Sequence, residues 1–203
     1  MSLPQSPVHR PDDGSMSELV SQAVERLRSA GVVLERGLSE TELDRVEERF
    51  GFSFSLTHRR FLAAGLPLGQ GWVDWRHGEH EDIESRLAWP IDSALFDVER
   101  NSFWPASWGE KPADPEVALA QARTRLEKVP RLIPVYVHRF LAAGPGDVPS
   151  PVFSVYQTDV VYYGDNLLDY VAQEFHAPPA HPTPRPRIPF WSGLADGLGD
   201  GEL

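Results

Sequence analysis

The sequence predicts a single α+β domain, and three observations carry that reading. The first third holds helices with recognisable caps. The last third holds two runs rich in β-branched and aromatic residues, 132–141 and 151–163, separated by Gly144-Pro145-Gly146-Asp147. The length, 203 residues, suits one domain with tails and can bury a core without covalent staples.

Residues 1–15 carry four prolines or glycines and no apolar period, and are expected to be a disordered arm. A helix is expected over 16–30, with Leu19, Val20, Ala23, Val24 and Leu27 on one face and Gly31 at its end. Val32-Val33-Leu34 is a short apolar link or strand. Ser39 with Glu42 three residues on forms a capping box. Leu43, Val46 and Phe50 then mark the buried stripe, which leaves Glu40, Asp44, Glu47 and Glu48 as an exposed acidic face. A further helix is expected from about Leu56 to Ala64, stopped by Gly65.

The middle of the chain is expected to be irregular. Residues 66–75 are punctuated by Pro67, Gly69 and Gly71 and lead to Trp72-Val73-Asp74-Trp75. Residues 77–82 read as a polar loop, 83–87 as a helical turn, and 96–99 as a short strand. Phe103-Trp104-Pro105 and Trp108-Gly109 read as an aromatic loop. Asp114-Pro115 pairs a cap residue with proline at the first helical position, and Val117, Leu119, Ala122 and Leu126 give the following helix its apolar side. Residues 132–141 are expected to form one strand, with Pro134 at its start or on a free edge. It should pair antiparallel with a long strand over 151–163, followed by a tight turn and a helix capped by Asp165. Gln157-Thr158-Asp159 interrupts that long strand as either a strand end or a site. The domain is expected over 16–176. A Pro-rich extension, 177–194, should dock back through Phe190 and Trp191, before a flexible tail at 195–203.

Hydrophobic residues make up 41% and charged residues 24%, ordinary values for a soluble globular chain. The absence of cysteine excludes disulfides and thiolate metal sites and fits a cytoplasmic location. No apolar run reaches the roughly 18 residues of a membrane span, and no secretory leader is visible. The formal net charge is −11. That sign opposes binding to nucleic acid and favours either plain solubility or a basic protein partner.

Three groups of residues are candidate sites. His77, His80, Glu79, Glu81 and Asp82 could ligate a metal, but a loop does not fix ligand geometry, so no metal or cofactor is expected. His138, Gln157 and Asp159 lie on strands expected to pair. His138 oriented by Asp159 could serve acid–base chemistry or simply be a structural polar cluster, and no nucleophile motif accompanies it. Trp75, Trp104 and Trp108, with Asp74 and the acidic helix face, suit either a core or a partner surface.

Leu38-Ser39 through Phe50-Gly51, followed by Arg60-Phe61-Leu62, resembles the opening of the SUKH superfamily, with Glu47 and Gly51 at its glutamate and glycine positions. Asn101-Ser102-Phe103-Trp104 with Trp108-Gly109 looks like the actinobacterial, Smi/Knr-like branch. So do Ile133 through Arg139, and Ser154 through Asp159 with Tyr163-Gly164. Ser150-Pro151 departs from the asparagine expected before that proline. The resemblance implies an α+β fold, a twisted, mainly antiparallel sheet packed by helices. It also implies an immunity-type protein that binds and neutralises a cognate toxin domain, or else a regulatory scaffold. An enzyme using His138 and Asp159 is the remaining alternative. The sequence leaves the oligomeric state open.

Overall fold

Seven helices and two antiparallel sheets form one α+β domain in the computed structural model, which describes residues 13–144, 150–175 and 185–197. Helix α1 (Asp13–Ser29) begins before the expected boundary, inside the expected arm; residues 1–12 of that arm lie outside the described residues. Strand β1 (Val33–Glu35) pairs with β2 (Leu66–Leu68), which the sequence had left irregular. Between them lie α2 (Glu40–Phe50) and α3 (Leu56–Ala64). The capping box forms as expected: Ser39 Oγ accepts from Glu42 N–H, and the Glu42 carboxylate accepts from Ser39 N–H at 2.7 Å. Gly37 has no room for a side chain, since a Cβ would sit 1.8 Å from the Ala63 carbonyl oxygen.

Helix α4 (His80–Arg100) corrects the sequence reading most. It replaces the expected loop, turn and short strand with one 21-residue helix that passes through Pro90. Proline removes one backbone donor, but Ile83, Leu87, Ala94, Leu95 and Val98 stay buried along the helix. Their burial holds the element together where local propensity breaks it. A 3₁₀ turn, Ala106–Trp108, leads to α5 (Pro115–Leu126), capped by Asp114 as expected. The buried side of α5 is Ala118, Ala122 and Leu126, whereas Val117 is exposed.

The main sheet is a four-stranded antiparallel meander in the order β3 (Leu132–Tyr136), β4 (Arg139–Ala142), β5 (Val152–Tyr156), β6 (Asp159–Gly164). Each long strand of the sequence reading is therefore a hairpin. Two-residue turns at Val137-His138 and Gln157-Thr158 divide them. Pro134 lies within β3, an edge strand, where a missing N–H is tolerated. The link expected at Gly144–Asp147 falls mostly outside the described residues. Asn166, not Asp165, caps α6 (Leu167–Glu174), its side chain accepting from Asp169 N–H.

Alternation divides the sheet's side chains between two cores. Ile133, Val135, Leu141 and Val152 meet α1, α3 and α6 in the larger one. Phe140, Phe153, Val155 and Val160 meet α7 (Trp191–Ala195) on the other face. Trp191 is fully buried there, and its Nε1–H donates to the Pro130 carbonyl at 2.7 Å. Phe190 packs on Trp191 and stacks on Trp108. Ala195 is helical, so the last helix runs into the segment expected to be a flexible tail. Residues 176–184 of the Pro-rich extension and 198–203 of the tail lie outside the described residues.

Candidate functional site: the anchored hairpin ends

Both hairpins of the main sheet turn at the same end, because the meander runs up, down, up and down. At each turn the first residue has a positive φ: 46° at Val137 and 59° at Gln157. The second turn residue does not, a sign pattern that ordinarily calls for glycine at the first position. A β-branched valine in this region is a steric outlier costing about 1–2 kcal/mol.

The surrounding structure holds both turns in place. Val137 N–H donates to the Gly71 carbonyl at 2.8 Å, and that carbonyl also accepts from Arg86 of α4 at 3.1 Å. A Cβ at Gly71 would lie 2.7 Å from Tyr136 and Val137 side-chain atoms, so only glycine lets the turn approach so closely. The second turn is held by Asp97 of α4, a buried carboxylate that accepts from both the N–H and the hydroxyl of Thr158, at 2.8 and 2.6 Å. Its other oxygen accepts from the Asn101 side chain. Trp89 of α4 adds a bond from Nε1–H to the Val155 carbonyl at 3.3 Å. The sequence reading missed Asp97 because it placed that residue in a strand.

Apolar side chains stand exposed on this framework. Val137 is 48%, Tyr156 59% and Val161 45% exposed. The pairing of Arg139 with Ser154 sets Val137 beside Tyr156, and that of Ser154 with Val161 sets Val161 diagonal to Tyr156. Next to them Arg139 is nearly buried. It pairs with Glu174 at 3.2 Å, donates to Ser154 Oγ at 3.0 Å, and lies 3.7 Å over the Tyr163 ring. Tyr170 is buried behind this group and its hydroxyl has no partner among the described residues. Burial, reinforced by Glu174, pushes that hydroxyl above the usual phenol range.

The expected site residues distribute unevenly. His138 and Gln157 are half-buried turn residues, and Asp159 is exposed at the start of β6. Register sets His138 against Val155 and Asp159 against Tyr156, and no hydrogen bond or ion pair joins His138 to Asp159 among the described residues. Burial and the neighbouring Arg139 lower the His138 pKa, with Glu174 opposing. The acid–base pair expected from sequence is therefore not assembled.

Trp75 and Trp108 are core residues rather than a partner surface. Trp75 packs edge-on against Phe50 and Phe54, and Trp108 packs against Phe103 and Trp104. Trp104 is half-buried, its Nε1–H donating to the Gly109 carbonyl. Asp74 turns inward on its own loop, accepting from the N–H groups of Arg76 and His77.

The acidic face of α2 is largely neutralised from within. Arg59 of α3 pairs with Glu40, Asp44 and Glu47 together. Those three carboxylates hold the guanidinium charged against the cost of its partial burial. Glu47 also accepts from Phe54 N–H at 2.8 Å, which makes it a structural clamp. Glu48 stays exposed. Nearby, Glu42 is held well below the usual carboxylate range by Arg76 and Arg36. His80 belongs to α4 rather than to a loop. Its Nδ1 accepts from Arg49, its Nε2 faces Glu84 at 3.1 Å, and its ring stacks on Phe50. Among the described residues no group of three or more histidine or acidic side chains could hold a metal ion, and no helix is long and apolar enough to cross a membrane.

No protein-family model, curated protein or solved structure matches this chain.

Proposed function

We propose that this chain is a non-enzymatic protein-binding module of the immunity type, which binds and neutralises a cognate toxin domain through the ends of its two hairpins. One observation carries the reading. Val137, Tyr156 and Val161 are exposed on or beside two turns whose first residues, Val137 and Gln157, hold a costly positive φ and which Gly71, Arg86 and Asp97 anchor. Backbone strain held in place by the surroundings at an exposed residue, as at Val137, points to function rather than to folding convenience. A rigid surface also loses little entropy when a partner binds. The net charge of −11 favours a basic partner and fast, salt-sensitive association. The resemblance to the SUKH superfamily supplies the immunity type.

The test is capture from a lysate of the source cell at low and high salt, with retained proteins identified by mass spectrometry. The proposal expects one stoichiometric, basic partner with a toxin-like activity that this chain suppresses, and weaker capture at high salt. Several partners with no such activity would favour a regulatory scaffold. No partner at either salt would remove the proposal. Turnover abolished by His138→Ala in a folded protein would replace it with an enzyme.

A further inference from the structure

A second surface lies on the outer side of α4 and α5, away from the sheet. Phe96 is 46% and Val117 44% exposed there. Between the two helices runs a groove floored by Leu95, Leu119 and Ala120. The surface continues past Ala120 onto Val117 and Thr124. At Ala120 the groove has no side chain beyond Cβ, so it is concave beside a protruding phenyl ring.

The two rims carry opposite charge. Asp92 and Glu99 stand on α4, and Arg123 and Lys128 stand on or just after α5, all four exposed. Asp92 and Arg123 face each other at 3.5 Å across the groove with both side chains more than half exposed. Exposed pairs of this kind hold loosely and exchange partners at little cost.

From these features we infer that a second copy of this chain docks on the α4–α5 face. A two-fold axis would lay α4 of one copy along α5 of the other, because a self-complementary patch closes by that symmetry. Phe96 of each copy then fills the groove at Ala120 of its partner, and Asp92 meets Arg123 across the interface, twice. The occupant is a copy of this chain because one patch carries both the knob and the hole, and both signs of charge. The face is modest. Twelve residues of α5 span about 18 Å and two helices about 20 Å, so the footprint is roughly half the standard ~800 Å² per partner. A face of this size fits a weak, transient dimer rather than an obligate one.

Sedimentation velocity of the full chain tests the inference, at physiological salt, where the screening length of ~8 Å limits repulsion between the two acidic copies. From low-micromolar to several hundred micromolar protein, the mass should move from 22.7 kDa towards twice that value. Ala120→Glu should hold it at monomer. Asp92→Arg alone and Arg123→Glu alone should each do the same, since each sets like charges together. An equimolar mixture of those two variants should dimerise again, because both cross-contacts then regain opposite charge. Monomer at every concentration of the unaltered chain would overturn the inference. So would a dimer indifferent to Ala120→Glu, or variants whose mixture shows no recovery while each keeps its native melting temperature.

Discussion

His58 makes this fold sensitive to mild acid. The residue is 1% exposed within α3, its ring edge-on to Phe54, and its Nδ1 has no hydrogen-bond partner among the described residues. Burial alone pushes its pKa down to about 3 from an ordinary 6.5. The unfolded chain therefore takes up a proton below pH 6.5 that the folded chain refuses. Stability is full above that value and falls as the pH drops towards 3. The loss follows the ratio of proton binding in the two states. It reaches about 2 kcal/mol at pH 5 and about 4 kcal/mol at pH 3. The perturbation is His58→Phe, which keeps a ring beside Phe54 and removes the titration. The assay is urea unfolding followed by tryptophan fluorescence between pH 5 and 8. Any fixed packing penalty of the larger ring cancels when the two proteins are compared across pH. The stability difference should shift by about 2 kcal/mol in favour of the variant from pH 8 to pH 5. A difference that stays flat across this window would refute the buried, neutral histidine.

Four other substitutions test the fold and the site. Trp191→Ala removes a fully buried ring and its bond to Pro130, and should cost about 3–5 kcal/mol in denaturant unfolding. Glu47→Ala releases both Arg59 and the Phe54 N–H. It should cost about 1–3 kcal/mol, and Glu48→Ala less than about 0.5 kcal/mol, in the same assay. Val137→Gly should stabilise the fold by up to about 1 kcal/mol, since it relieves a positive φ, while weakening partner capture. A destabilised Val137→Gly would mean the turn carries no strain.

Local chemistry in the sequence marked the elements with strong punctuation. Ser39 and Glu42, Asp114 and Pro115, and the helix over 56–64 follow directly from caps and stops. The failures share one cause, which is tertiary support overriding local signals. Pro90 and the polar residues before it broke a helix that its buried stripe sustains. Val137-His138 and Gln157-Thr158 contain no glycine or asparagine, so nothing in the sequence announced two-residue turns; distant residues, Gly71 and Asp97, make them possible. The candidate site was legible in fragments. His138, Gln157 and Asp159 do sit at the shared hairpin end, but Val137, Tyr156 and Val161 looked like ordinary strand residues. The acidic face of α2 looked free because Arg59, twelve residues after Glu47, approaches only in the folded state.

The most direct test of the central claim compares the unaltered chain with a Tyr156→Ser, Val161→Thr double variant in parallel captures from the source lysate. Both positions are exposed, so the melting temperature should stay within a few degrees of the original. The account predicts that the unaltered chain retains one basic, toxin-like protein and that the double variant loses it. Equal retention by a folded double variant would contradict the assignment of the hairpin ends as the binding surface.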